Sequence, residues 1–391
     1  MNKEEKLGII FDELANELNI TATMLERAET AYTALGDYIK QTNQDWDVSV
    51  YPQGSFELGT VVKPLNEDEQ YDVDLVVLVK KPFLDAQNLR LSIRDLLQQH
   101  GRYVGKIEDK KPCIRIQYAD TAQFHMDIAC AKESLMLDTN IDISKFGESN
   151  NYYYDISNPK GYVKWFKNVM NFEEVRKGYF GVQQRAETEV EDLKLTRVRT
   201  PLQKAIQILK RHRDIYFSGQ NNIDEKPSSI IITTLCALTY DYVLSNTNAK
   251  GNVYKTIINM IDRFPAFISR NENGDFQLMN PSRKEENFLK KWNEHYEHKQ
   301  MFDNWIIQAK MDIVTNPEAF IDTSPENFKE TIERSFGGKT SRIALEKYGE
   351  RISHMADSGA LKFNRENGNI TTSKSDESYR KHVYFGGECD K

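Results

Sequence analysis

The apolar positions divide the chain into a mixed first part and a helical second part. Residues 1–45 look helical, and apolar residues within them recur at spacings of four, four, three and four, which predicts the buried stripe of an amphipathic helix. That stripe consists of Met24, Ala28, Tyr32, Leu35 and Ile39. Four short apolar or alternating segments then predict β-strands. They read WDVSVYPQ, YDVDLVVLV, KPCIRIQYA and QFHMDIACA.

One helix is predicted among these strands. The segment AQNLRLSIRDLLQQHG has a helical period and stops at Gly101, a residue type that commonly ends helices. Helix, strands, helix and further strands predict an α+β first lobe with a mixed sheet over residues 1–165.

Residues 166–360 predict a second lobe that is mainly α-helical. TPLQKAIQILKRHRDIYF has Thr200 as a helix N-cap and Pro201 at the first helical position. KPSSIIITTLCALTYDYVL predicts a helix that begins at Ser228 or Ser229. The segment ENFLKKWNEHYEHKQMFDNWIIQAKMDIV predicts a further long helical stretch, and residues 361–391 form a polar, loose tail.

Composition and charge narrow the class of protein. A chain of 391 residues is too long for one ordinary core, so we expect two lobes. The formal net charge of -7 argues against the basic field of a duplex-binding protein but leaves small anionic ligands possible. Four scattered cysteines argue against structural zinc and a disulfide framework. Charges near the N-terminus argue against a signal peptide, and no apolar run approaches the roughly 20 residues of a membrane span, so we expect a cytoplasmic protein.

Three acids in the predicted strands are candidate metal ligands. Side chains alternate along a strand, so Asp72 and Asp74 lie on the same face. Two neighbouring carboxylates repel each other unless a cation lies between them, and paired divalent ions assist phosphoryl displacement. Asp127 is a third acid in an apolar strand, and His125 shares its face.

A Gly-Ser turn precedes the paired acids. Gly54 lets the backbone approach a phosphate closely, and the hydroxyl of Ser55 can donate a hydrogen bond to it. Alone, the turn is most often only a turn, and an Asp-x-Asp strand is most often a solvated edge. The order of turn, paired acids and third acid favours a phosphate and metal site.

The sequence resembles the polymerase-β-like nucleotidyltransferases, and more narrowly the bacterial cGAS/DncV-like nucleotidyltransferases (CD-NTases) of CBASS anti-phage systems. The catalytic resemblance lies in QGSFELGT, YDVDLVVLV and FHMDIA. In the second lobe, SNPKGYVKWF, TPLQKAIQILKRHRD, KPSSIIITTL and MNPSRKEENFLKKWNEH are also typical of this family.

The resemblance implies a mixed-sheet palm, a helical lobe over a nucleotide cleft, and metal-dependent joining of ATP and possibly other nucleoside triphosphates into a cyclic di- or trinucleotide. It implies two Mg²⁺ or Mn²⁺ ions held by the three catalytic acids, with the donor triphosphate bound by residues of both lobes. The acids are Asp72, Asp74 and Asp127, and the nucleotide-binding residues are Gln53, Gly54, Ser55, Lys210 and Ser229.

The sequence is also compatible with proteins of other functional classes. A linear nucleotidyltransferase that modifies protein or drug, or a polymerase that adds RNA tails, would use the same acids, although the acidic balance argues against a tail-adding polymerase. A non-catalytic nucleotide-binding protein is the third reading. Family relatives suggest a HORMA-domain or other CBASS regulatory protein as a partner. Zinc binding and activation by DNA are not supported.

Overall fold

The computed structural model describes most of the chain, in stretches separated by gaps. These are residues 1–42, 45–65, 69–81, 84–118, 124–135, 139–147, 151–177, 199–247, 251–363, 370–371 and 377–378. The predicted loose tail therefore lies mostly outside the described residues.

The first lobe is a palm built on one mixed sheet. The elements of the palm are α2 (Ala22–Thr42), β1 (Val48–Pro52), α3 (Gly54–Leu58), β2 (Tyr71–Val79), α4 (Ala86–Gln99), β3 (Ile107–Asp109), β4 (Ile114–Gln117), β5 (Phe124–Glu133), β6 (Ile141–Phe146) and β7 (Tyr152–Ser157). The seven strands follow the order β1-β2-β5-β4-β3, with β6 beside β5 and β7 beside β6; β2 and β5 are parallel, and the remaining pairs are antiparallel. The predicted α+β class is confirmed.

The main core of the palm lies on one face of this sheet. Alternate residues of β2 and β5 are buried there against α2 and α4, and the predicted stripe of α2 is part of this core. Because side chains alternate, the intervening residues of β2 and β5 lie on the opposite face. That second face carries all three candidate acids, and two of them, Asp72 and Asp74, line a cavity together with residues of the helical lobe.

The second lobe is mainly helical. Thr200 caps α6 through the predicted capping interaction, and α7 begins at Ser229. The helices are α5 (Pro159–Lys177), α6 (Pro201–Phe217), α7 (Ser229–Asn246), α8 (Val253–Ile261), α9 (Lys290–Glu294), α10 (Glu297–Lys310), α11 (Asn316–Phe320), α12 (Pro325–Phe336) and α13 (Gly338–Asp357). Short strands are β8 (Ser269–Arg270), β9 (Phe276–Gln277), β10 (Met279–Asn280), β11 (Arg283–Asn287), β12 (Lys362–Phe363), β13 (Ile370–Thr371) and β14 (Glu377–Ser378).

The N-terminal region forms two helices that belong to different lobes. The first helix, α1 (Lys3–Glu17), buries Leu7, Phe11 and Leu14 in the core of the helical lobe. Only α2 packs on the palm. The boundary predicted at residue 165 therefore assigns α1 to the palm, whereas α1 packs on the other lobe.

The predicted long helix after residue 285 is wrong in its first part. Residues up to Asn287 form strand β11, paired with β10. The side-chain Oδ1 of Asn287 accepts hydrogen bonds from the backbone N–H groups of Leu278 and Leu289, both at 3.0 Å. Such side-chain bonds to the backbone compete with helix formation, and a helical spacing of aromatic residues does not reveal them.

Of the described chain, one stretch, Ile223–Asn246, is long and apolar enough to cross a bilayer. Most of its apolar window, 61%, is buried inside the lobe. Packing in the core therefore accounts for its apolar character.

Candidate active site

The parallel pairing of β2 and β5 brings four polar side chains together. Asp72 lies opposite His125, and Asp74 lies opposite Asp127. Partners in register on neighbouring strands share a face of the sheet. The strands are apolar because their other face is buried, so the polar residues stand out in the sequence.

Arg115 holds the carboxylate of Asp127 from the next strand. The two residues are register partners on β4 and β5. Arg115 donates from Nε to Oδ1 and from Nη2 to Oδ2 of Asp127, both at 2.7 Å, and its Nη2 lies 3.5 Å from Oδ1 of Asp72. This two-point ion pair fixes the plane of the Asp127 carboxylate. The hydrogen bond to Asp127 also raises the pKa of the Arg115 guanidinium.

His125 lies between two oxygen atoms. Its Nε2 contacts Oδ1 of Asp72, and its Nδ1 lies 3.2 Å from Oε1 of Gln70. Burial raises the pKa of Asp72, but the hydrogen bond from His125 and nearby positive charges lower it below its ordinary value. Among the described residues, one ligand atom each from Asp72, His125 and Asp127 lie within 4.8 Å of one another. Asp74 is not part of that set.

The carboxyl group of Asp74 is buried close to the two other candidate acids, and nearby positive charges do not offset this effect. Burial, followed by the negative charges of Asp72 and Asp127, raises the pKa of Asp74 to about 7. A carboxylate cluster with an unsatisfied negative charge fits a divalent cation, which supplies the missing positive charge. The carboxylate oxygens of the site are ligands that Mg²⁺ and Mn²⁺ accept.

The turn before the acids packs directly on Asp74. Gly54 has a positive φ of 62°, and a methyl group at this position would overlap Oδ2 of Asp74. The backbone N–H of Gln53 donates to the carbonyl of Asp74 at 2.9 Å. The predicted Gly-Ser loop is the start of the short helix α3, which ends at Gly59 in the left-handed conformation. Only glycine fits at position 54 without displacing the acid.

A cavity of about 670 Å³ lies between the palm and the helical lobe. Gly54 and Ser55 line it from the turn, and Asp72 and Asp74 line it from β2. Two nucleotide-binding candidates of the second lobe, Lys210 and Ser229, line the same cavity. Its volume falls within the range of roughly 300–1,000 Å³ of small-molecule sites.

Lys210 points its ammonium group toward the palm. Its Nζ lies 3.3 Å from the carbonyl oxygen and 3.2 Å from Oγ1 of Thr60. Burial, and next the charge of Arg213, lower the pKa of Lys210 to about 8. An anionic ligand in the cavity would compensate both effects.

Two of the predicted site residues do not line the cavity. Gln53 contacts Asp74 through its backbone, and Asp127 lies beside Asp74 on the neighbouring strand β5. Arg115 has no predicted role from the sequence, and His125 is predicted only to share a strand face with Asp127. A signal for Arg115 exists in the alternation of IRIQ, which places an arginine on one strand face, but its partner depends on strand order.

Part of the palm matches a known family of domains. Residues 48–130 match the family described as "Cyclic GMP-AMP synthase DncV-like, nucleotidyltransferase domain". The matched segment begins in β1 and ends in β5, so it includes the turn and all three acids.

Two relatives and one solved structure extend the likeness to both lobes. The c-di-GMP synthase of Roseivirga ehrenbergii is 27% identical over 297 residues, which cover 74% of this chain and 74% of that protein. The cyclic dinucleotide synthase CdnG of Bradyrhizobium diazoefficiens is 23% identical over 254 residues, which cover 59% of this chain and 58% of that protein. The structure of the latter CD-NTase in complex with GTP superposes with a TM-score of 0.66 at 18% identity, over 88% of this chain and 99% of that one. This superposition shows a shared fold.

Proposed function

We propose that this chain, a CD-NTase whose DncV-like nucleotidyltransferase domain spans residues 48–130, joins two nucleoside triphosphates into a cyclic dinucleotide with the help of divalent cations. The observation that carries the proposal is the composition of the cavity between the lobes. It combines the Gly54–Ser55 turn and two carboxylates of the palm with Lys210 and Ser229 of the helical lobe. A donor triphosphate requires this combination of phosphate-binding groups beside metal ligands.

The relatives support the product class. Both carry names of cyclic dinucleotide synthases, and one is named for a product with two guanine bases. We therefore include GTP beside ATP among the candidate substrates.

The carboxylates would hold the cation. Asp72, Asp74 and Asp127 are the proposed ligands, and His125 lies beside them. The raised pKa of Asp74 supports this assignment because a bound cation would relieve the repulsion that raises it. When bound, Mg²⁺ or Mn²⁺ stabilises negative charge on the transferring phosphoryl group and activates the attacking hydroxyl.

The protein's own groups bind and orient the reactants. The backbone and hydroxyl at Gly54 and Ser55 contact the donor phosphates from the palm, while Lys210 contacts them from α6. Ser229 begins α7, and a helix N-terminus attracts phosphate.

Asp127, fixed by Arg115, orients the attacking ribose hydroxyl of the acceptor and takes up its proton. The hydroxyl oxygen bonds to the α-phosphorus, the bond from that phosphorus to the bridging oxygen breaks, and pyrophosphate leaves. A second transfer of the same kind closes the ring.

Labelled GTP and ATP test the reaction directly. We expect the purified chain with Mg²⁺ to form a small labelled product that resists phosphatase, because a cyclic dinucleotide has no terminal phosphate. Label in a polymer would favour a tail-adding polymerase, and label on protein would favour a nucleotidyl-tagging enzyme. Absence of any product with all divalent cations tried would favour a non-catalytic nucleotide-binding protein.

The biological setting is part of the proposal. We infer a cytoplasmic enzyme of anti-phage defence whose product activates an effector, with a HORMA-domain or other CBASS protein as regulator. Co-purification with proteins encoded beside it, followed by the product assay with and without them, tests this part.

A further inference from the structure

Arg213 connects the two helices that frame the nucleotide cavity. It lies one turn beyond Lys210 on α6, and its side chain is almost fully buried. Its Nη1 donates to the carbonyl of Pro227 at 2.9 Å and to Oγ of Ser229 at 3.1 Å. Its Nε and Nη2 donate to Oδ1 of Asp214 at 3.0 and 2.8 Å. One guanidinium therefore links α6 to the start of α7.

This contact determines how the Ser229 hydroxyl can act. A guanidinium can only donate hydrogen bonds, so Oγ of Ser229 must be the acceptor. Its own hydrogen is then left for another acceptor, and the structure gives it none among the described residues. Ser229 and Ile230 line the cavity, and the side chain of Ser228 does not cap the helix. The first turn of α7 thus presents a hydroxyl donor, together with its helix terminus, to the cavity.

Asp214 holds a second cation at the same wall. Its Oδ1 also accepts a hydrogen bond from Nζ of Lys226 at 3.2 Å. Both side chains are about one third exposed, and both line the cavity. An ammonium has three donors, so this bond leaves two of them for a ligand.

We propose that Arg213 and Asp214 are positioning residues that orient the Ser229 hydroxyl and the Lys226 ammonium toward the β- and γ-phosphates of the bound nucleotide, which makes Lys226 a second phosphate-binding cation beside Lys210. This inference rests on the proposed function, because it assumes that the cavity holds a nucleoside triphosphate. It adds three residues, Arg213, Asp214 and Lys226, to those assigned from the sequence.

An anionic ligand fits this wall better than a neutral one. Ser229 offers a hydrogen, Lys226 offers two, and the Lys210 ammonium lies one helical turn away from Asp214. The one acid of the group, Asp214, already receives three hydrogen bonds on Oδ1. Lys210, Arg213 and Lys226 carry three positive charges against the one negative charge of Asp214, and phosphate oxygens would compensate this excess.

A double-mutant cycle distinguishes positioning from a merely structural link between the helices. The probes are the α,β-methylene analogues of GTP and ATP, which cannot be transferred, and the matching monophosphates GMP and AMP. Affinity is measured by calorimetry on the full chain for Ser229→Ala, Arg213→Gln and the double variant. Arg263→Gln is the control, because Arg263 bonds to the Asn259 carbonyl of the preceding helix α8 and does not line the cavity.

We expect Ser229→Ala and Arg213→Gln each to weaken binding of the triphosphate analogue about 10- to 100-fold, the range of a hydrogen bond to a charged group. The double variant should lose little more than either single variant, because both remove the same oriented hydroxyl. Lys226→Gln and Asp214→Asn should behave as a second such pair. Monophosphate binding should change by less than about twofold in all of them.

Additive losses, or equal losses for the monophosphate, would overturn the inference and assign these contacts to the fold alone. Thermal unfolding of each variant is recorded first, and Arg213→Lys replaces Arg213→Gln if the latter does not fold. If the wild-type chain binds neither triphosphate analogue, the proposed function fails and this inference fails with it, an outcome distinct from additive losses in a chain that binds the analogues.

Discussion

Asp74 is the candidate acid whose pKa is raised by its surroundings. Its pKa lies at about 7 in the folded chain because of burial and the two neighbouring acids, compared with 3.8 as the ordinary value. The folded chain therefore binds a proton more tightly than the unfolded chain does. The contribution of Asp74 to the free energy of unfolding is therefore most favourable at low pH, and it decreases as the pH rises from about 4 to 7. The apo protein carries an unfavourable charge at neutral pH that a cation would compensate.

Asp74→Asn should therefore stabilise the apo protein. We expect the melting temperature to rise by several degrees at pH 8, about 2–4 °C for each kcal/mol gained, and by less at pH 5, where Asp74 in the folded chain is already protonated. Mg²⁺ should raise the melting temperature of the wild type and have little effect on the variant. An equal gain at both pH values would contradict this explanation.

Gly54 is the residue through which the turn accommodates Asp74. Gly54→Ala should lower activity about 10- to 100-fold, because the new methyl group displaces the carboxylate. Gly219→Ala is the matched control: Gly219 also has a positive φ, of 78°, but nothing lies within 4 Å of an added methyl group. Both variants should lose about 1 kcal/mol of stability through backbone strain. Similar activity in the two would show that strain alone matters.

Arg115 should affect turnover more than substrate binding, because it acts through Asp127. We expect Arg115→Met to lower kcat about 10- to 100-fold with a small change in KM, and Arg115→Lys to recover part of the loss. Steady-state kinetics measure both constants. The control is Arg94→Met, which removes an arginine that pairs with Asp95 and Asp109 on the palm surface. A rise in KM alone would assign Arg115 to substrate binding.

At the scale of elements, the sequence predicted the strands and helices that carry the site. β2 coincides with the predicted YDVDLVVLV, and α2, α4, α6 and α7 lie where the helical period placed them. These elements have strong local signals: a buried apolar face, a cap or a terminating glycine. The strand β11 and the division of the N-terminal region depend on tertiary contacts, namely the side-chain bonds of Asn287 and the packing of α1 on the other lobe.

The candidate site could be predicted from the sequence to the same extent as the strands and helices. The alternation of polar and apolar residues identified the acids, because each depends on its own strand. Their pairing with Arg115, and the burial of Lys210 against Thr60, depend on which strands and lobes meet. Strand order and lobe placement are properties of the whole fold, and a local period contains no information about them.

The packing of α1 in the core of the helical lobe leads to a prediction at the scale of elements. Phe11 is fully buried and contacts Tyr254 and Phe336 of the helical lobe. Phe11→Ala should lower the free energy of unfolding by about 3–5 kcal/mol. Leu135→Ala, at a position that is 74% exposed, should change it by less than about 0.5 kcal/mol. Denaturant titration measures both, and a small effect of Phe11→Ala would mean that α1 is not part of the lobe core.

At the scale of the whole molecule, the two lobes contribute different chemical groups to the cleft. The palm supplies carboxylates and the glycine turn, and it would repel a triphosphate by itself. The helical lobe supplies Lys210, Lys226 and the start of α7 on the opposite wall. The relatives match segments that extend through both lobes, as expected if the cleft and not the palm alone defines the activity.

Mass spectrometry of the reaction products tests the central claim most directly. The purified chain is incubated with all four nucleoside triphosphates and Mg²⁺, treated with phosphatase, and compared with the Asp72→Asn/Asp74→Asn variant. We predict a cyclic dinucleotide in the wild-type reaction and none in that of the variant, with folding of the variant verified by its melting curve. Only linear or polymeric products, or a cyclic product that persists in the variant, would contradict the account.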